Sequence, residues 1–256
     1  DIIVCRSEYP LDNGIKDKIA LFCNVPSSHV LQNLDVEYLY EAPLAMEEEH
    51  LAQVACECLG LPCPEPNLSD WKAMCTALKH PKGEVSVALV GKYTQLHDAY
   101  ISVVESLKHG GIANGVSVNI KWVDSEKVTA GNVEEFLGDV SGIIVPGGFG
   151  DRGIEGMIQS IRYAREKKVP FLGLCLGMQL TIVEFTRDVV GYNDAHSVEF
   201  LPGTTHPVIH LMPDQEGIDD IGGTLRLGSY PCILDESSKA YALYGSREIH
   251  ERHRHR

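Results

Sequence analysis

The chain has 256 residues, with 22 Lys and Arg against 36 Asp and Glu and a net charge of −14. Apolar side chains make up 44% and charged ones 23%, the composition of a folded globular chain and not of a disordered one. An acidic surface repels phosphate backbones, which excludes nucleic acid as the main partner. No apolar run approaches the roughly 20 residues needed to span a bilayer, so no membrane partner is expected.

Residues 1–5 already read as a strand, with no basic segment followed by an apolar one, so no secretory signal is expected in the chain. The eight cysteines sit in a chain too long and too regular for a disulfide framework, and they are read as thiols in a reducing cytoplasm. Cys56, Cys58, Cys63 and Cys75 lack paired C-x2-C knuckles, so no metal centre is expected there.

The pattern DIIVC predicts a short buried strand, and GIKDKIALFCNV an amphipathic helix. VEYLYEAP reads as extended chain stopped by Pro43, and LAMEEEHLAQVACECLGL as one helix ending near Gly60. One strand and two helices cannot enclose a core, so residues 1–60 are expected to be the end of a larger domain. Residues 61–83 hold Pro62, Pro64, Pro66 and Pro81 around a short helix capped by Ser69, which is linker composition.

From residue 84 to 256 short apolar strands alternate with helices. VSVALVG, VSVNIKWV, GIIVPGG and PFLGLC read as strands. HDAYISVVESLKHGG, with Gly110 past its end, NVEEFLGDV, GIEGMIQSIRYAREKK and LGMQLTIVEFTRDV read as helices. That order predicts an α/β fold, an open and mostly parallel sheet flanked by helices. Past position 200 the chain turns β-like, in HPVIHLM, GGTLRLGSY and REIHERHRHR.

Gly173-Leu174-Cys175-Leu176-Gly177 places a nucleophile between two glycines at the junction of a buried strand and a helix. Such an elbow forces the nucleophile into strained backbone and lifts it above the sheet edge. The helix that begins there offers free N–H groups for an oxyanion and is expected to lower the thiol's pKa. Pro146-Gly147-Gly148-Phe149-Gly150 ends the preceding strand, where backbone N–H groups can approach a ligand with no Cβ in the way. As a strand, ERHRHR puts Arg252, Arg254 and Arg256 on one face, and a row of guanidinium groups suits a carboxylate. A solvated edge strand is the bland alternative for that row.

VPGGFG followed by GLCLGMQ resembles the class I glutamine amidotransferases. IALFCNV, VALVGKY, SLKHGG, SVNIKW, GGTLRLG and ERHRHR together resemble the CTP synthase family, and these blocks run the length of the chain. The resemblance implies that ammonia released from L-glutamine is used to aminate UTP to CTP with ATP and Mg, under GTP control, in a homotetramer. It implies Cys175 as nucleophile and the N–H groups of Gly148 and Leu176 as oxyanion donors. It also implies Phe149, Gln179, Glu199 and Arg256 as glutamine-binding residues and Arg152 at the allosteric GTP site. Residues 1–60 would then be the end of a P-loop-type synthetase domain, a strand–helix remnant.

Two departures from the family shape the expectation. The family's base and its orienting carboxylate lie in an H-P-x-E stretch downstream of the RHRHR strand, and the chain contains no such stretch; HPVI at His206 carries Ile209 in the fourth place. Nor does it contain a G-x4-GK phosphate loop. The chain is therefore expected to be C-terminally truncated, with no cofactor of its own and weak or no activity alone. The alternatives are another class I amidotransferase or a γ-glutamyl hydrolase on the same fold, and a non-catalytic assembly fragment.

Overall fold

The computed structural model describes residues 1–211 and 228–253. Two compact units divide it: residues 1–84 with 107–117, and residues 85–106 with 118–256.

In the first unit, β1 (Ile3–Ser7) and β2 (Val30–Leu34) pair in parallel, Ile3 opposite Val30 and Ser7 opposite Leu34. The connection runs through α1 (Asn13–Cys23), whose first turn is capped by the Asp12 carboxylate accepting from the Ile15 N–H. β2 was not foreseen: VLQNL is too short to show a period, and its partner lies more than twenty residues back in sequence. β1 itself is only half covered.

The single helix expected over 44–61 is two: α2 (Ala42–Glu48) and α3 (Leu51–Leu59). His50 between them adopts the left-handed conformation at φ 59°, which no continuous helix tolerates. Pro43 does not stop an extended segment but sits in the first turn of α2, where its missing N–H costs nothing. Gln32 on β2 donates to Glu49, and Lys16 on α1 reaches the same carboxylate at 3.3 Å.

α4 (Ser69–Lys79) follows the prolines. Its cap is not the Ser69 hydroxyl; instead the Ser69 N–H donates to the Asn67 side chain at 3.1 Å.

The second unit is built on a four-stranded sheet in the order β4-β3-β5-β6, from β3 (Glu84–Gly91), β4 (Ser117–Asp124), β5 (Gly142–Val145) and β6 (Phe171–Gly173). β3 and β5 run parallel with Ala88 opposite Ile143, and β5 and β6 with Val145 opposite Gly173. Its helices are α6 (Val133–Leu137), α7 (Ile154–Lys167) and α8 (Leu176–Phe185), together with the start of α5 (Ile101–Asn114), whose residues 107–114 belong to the first unit. Contrary to the sequence reading, α5 runs through Gly110 and ends before Gly115 at φ 67°.

Val90, Ile143, Val145, Met157, Leu176, Leu180 and Val183 form the centre of one buried apolar cluster, from strands buried on both faces and the inner sides of α7 and α8. Across the α7–α8 contact Arg165 Nη2 lies 2.7 Å from Glu184, which is 1% exposed.

The unit continues with β7 (His196–Ser197) beside β8 (Pro207–Ile209), then β9 (Gly228–Ile233), α9 (Lys239–Tyr244) and β10 (Glu248–His253), β9 and β10 forming an antiparallel pair. Most of GGTLRLG, and Arg254 and Arg256 of the arginine row, lie outside the described residues. Among the described residues no helix is long and apolar enough to cross a membrane.

Candidate active site

In this strand order β3 lies between β4 and β5, so the chain leaves β3 in one direction and returns on its other side. Such a switch point opens a crevice at the C-terminal ends of the strands. Three short segments meet that edge: Lys92 directly after β3, the glycine loop after β5, and Cys175 after β6.

Cys175 has φ 55° and ψ −107°, a conformation that ordinary side chains avoid. The glycines around it have steric reasons. A Cβ on Gly173 would meet the Gly177 carbonyl at 2.6 Å, and one on Gly177 would stand 2.9 Å from the Val145 carbonyl carbon. The elbow is thus pressed onto β5 with no space for a methyl group. The ideal Cβ position of Gly147 is 3.3 Å from Cys175 Cβ and 3.5 Å from its Sγ. That of Gly148 is 3.6 Å from a Leu176 methyl. The two glycine segments are therefore neighbours, and the thiol between them is half-buried and not sealed in.

The electrostatics correct one expectation. Burial pushes the Cys175 thiol up and outweighs the hydrogen bond that it receives from the Leu176 N–H; the nearby Glu199 carboxylate pushes it up further. The start of α8 does favour the thiolate through that N–H, as its free donors should. Desolvation is the larger effect, so the resting group is a thiol.

Around it, Gln179 lies one turn along α8 and is buried at 9% exposure. Glu199 is exposed, and its N–H donates to the Ser197 hydroxyl at 3.2 Å. Phe149 is 85% exposed at the tip of the glycine loop. Arg152 pairs with Glu126 at 2.8 Å and donates to the Lys92 carbonyl oxygen at 3.4 Å. Arg256 lies outside the described residues. His206 is already committed, with Nδ1 2.5 Å from Asp194 Oδ1 and its ring stacked on Tyr192 at 4.3 Å.

Lys92 escaped the sequence reading. It is 5% exposed, and its Nζ donates to the Phe149 carbonyl oxygen at 3.0 Å and to that of Gly150. The signal was available: a charged residue directly at the end of a fully apolar strand sits at the sheet edge where ligands bind.

Comparisons with known proteins identify relatives of the chain. The profile of the class-I glutamine amidotransferases matches residues 95–256, and that of the CTP synthase N-terminus matches residues 1–61. The CTP synthase of Ruminiclostridium cellulolyticum is 55% identical over 256 residues, covering 100% of this chain and 48% of the relative. That of Clostridium acetobutylicum is 56% identical with the same coverage. The chain thus spans about half the length of the curated relatives it matches. The solved glutaminase domain of Trypanosoma brucei CTPS, with bound acivicin, aligns over 67% of each chain at 39% identity and a TM-score of 0.60. The elbow, the glycine loop and these matches together show that the chain belongs to the class-I glutamine amidotransferases, within the CTP synthase family.

Proposed function

We propose that this chain carries the glutamine-hydrolysing centre of a CTP synthase, with Cys175 as its nucleophile. The observation that carries the reading is the strained Cys175 backbone held between Gly173 and Gly177 and facing the 147–148 loop. In the reaction the Cys175 sulfur bonds to the carboxamide carbon of glutamine as the thiol gives up its proton, which is the one the departing nitrogen takes. The N–H groups of Gly148 and Leu176 receive the charge that develops on its oxygen. The C–N bond then breaks, nitrogen takes a proton and leaves as ammonia, and water cleaves the thioester to glutamate and the free thiol.

Phe149, Gln179, Glu199 and Arg256 are assigned to the glutamine pocket and Arg152 to a GTP effector site. Glu199 is supported by its electrostatic reach to Cys175. Ammonia is consumed in the ATP-dependent amination of UTP, in a cytoplasmic homotetramer. ATP and Mg are assigned to a synthetase portion and not to the glutamine centre. Among the described residues there is no cluster of three His, Cys, Asp or Glu to hold a metal, and the sequence has no P-loop.

Acivicin, the compound bound in the trypanosome relative, tests the centre directly. It is expected to modify Cys175 in preference to the other seven thiols, as read by peptide mass spectrometry. Indiscriminate modification refutes the assignment.

A further inference from the structure

We infer that Lys92 is the positioning residue of the oxyanion loop, holding the Gly148 N–H in the direction that the reaction needs; this rests on the function proposed above. A Gly-Gly segment has more conformational freedom than any other dipeptide. Among the described residues, Gly147, Gly148, Phe149 and Gly150 make no backbone-to-backbone hydrogen bond. A donor so placed contributes to a transition state only if its direction is set beforehand, because reorganisation during the reaction removes the benefit.

Lys92 supplies that restraint from two sides. Its ammonium group donates to the carbonyl oxygens of Phe149 and Gly150. In trans peptides this turns the two peptide planes downstream of Gly148, with their N–H groups pointing away from Lys92. Its Cδ and Cε lie 3.6 Å from where a Gly148 Cβ would stand, so the stem backs the loop at the residue that carries the donor.

Lys92 is itself fixed. Its N–H donates to the Tyr100 hydroxyl at 3.1 Å, and Tyr100 is buried against Gly91. The ammonium is 6.0 Å from the Phe200 ring centre, next to Glu199. Burial and the neighbouring Arg152 disfavour its charge, whereas Asp151, Glu199 and Glu126 favour it. A buried lysine of this kind is costly unless its donors are used, and here they bond the loop.

The test compares the 256-residue wild-type chain with Lys92→Met, similar in length but without charge or donor, and Lys92→Arg, which keeps both. Two reagents are used at Cys175. Acivicin is attacked at a ring carbon: an S–C bond forms, chloride leaves, and the charge developing on the ring nitrogen needs the N–H donors. Iodoacetamide reacts by direct displacement of iodide and needs none.

Lys92→Met is expected to lower the limiting rate of acivicin modification by roughly 10- to 100-fold, a fraction of what loss of an oxyanion donor costs. Half-saturating acivicin, the iodoacetamide rate and the melting temperature should change little, and Lys92→Arg should recover most of the loss. Should Lys92→Met fail to fold, Lys92→Gln carries the same comparison. A variant with the wild-type limiting rate overturns the inference, as does a parallel fall in both reagents and in melting temperature. If the wild type shows no preference for acivicin at Cys175, the proposed function fails first, and that result is distinguishable from a failure of Lys92 alone.

Discussion

Gly177→Ala tests the steric basis of the elbow. A Cβ at Gly177 would stand 2.9 Å from the Val145 carbonyl carbon, 3.0 Å from Val145 Cβ, and nearer still to the carbonyl oxygen. Ordinary carbon–carbon contact is about 3.5–4 Å. The obstacle is mostly the β5 backbone, so no flexible side chain can yield, and the first turn of α8 has to withdraw by on the order of 1 Å. Overpacking of this kind costs about 3 kcal/mol at the upper end of its usual range. The helix preference of alanine over glycine returns up to about 1 kcal/mol. The net loss is about 2 kcal/mol, or roughly 4–8 °C in melting temperature for a chain of this size.

The same displacement moves Cys175 and the Leu176 N–H away from the glycine loop, and a misplacement of about 1 Å can cost roughly 100-fold in rate. Differential scanning calorimetry and acivicin modification of Cys175 read the two effects separately. Gly110→Ala is the matched control, because Gly110 is an exposed residue within α5 with nothing within 4 Å of its ideal Cβ. It should gain about 0.5–1 kcal/mol with Cys175 reactivity unchanged. A Gly177→Ala variant with wild-type melting and labelling would refute the steric account.

Three more outcomes are expected. Burial holds the Cys175 proton beyond the ordinary thiol range, so its iodoacetamide rate should keep climbing with pH through that range, and a plateau near neutrality would contradict the reading. The contribution of this group to stability is complete below the unfolded thiol's pKa and is lost as pH rises through the raised folded value. Arg165→Met leaves the Glu184 carboxylate buried without its 2.7 Å partner. It should cost about 3 kcal/mol in urea unfolding, much of it recovered by adding Glu184→Gln. Finally, the 256-residue chain alone should release ammonia from glutamine only slowly, since its thiol rests protonated and His206 is bonded to Asp194; rapid turnover in a coupled ammonia assay would show that another group activates Cys175.

The second unit was legible because its signals are local and repeated. Short apolar runs such as VSVALVG and GIIV can be satisfied only as strands buried on both faces, and the helical periods between them force parallel crossovers. The elbow was legible for the same reason: two glycines flanking a cysteine at a strand–helix junction restrict the turn to one arrangement. Gly110 misled because a glycine inside a helix and one after its end look alike in sequence, and only the continued hydrogen bonding of α5 separates them. His50 breaking α2 from α3 has no local signature at all.

Tertiary structure decided what depends on residues distant in sequence. The pairing of β1 with β2 is one case, since a strand's partner is chosen by what packs around it. The thiol's proton is another: helix position predicted a lowered pKa, whereas the surroundings brought together by folding desolvate the sulfur more than one N–H compensates. Lys92 is the third. Sequence places a cation after a strand, but its bonds to loop carbonyls 57 and 58 residues away exist only when β3 and β5 lie side by side. Local patterns determined which residues could form the site; the packing of β3, β5 and β6 determined which of them act together, because charge, burial and contact are properties of neighbours in space.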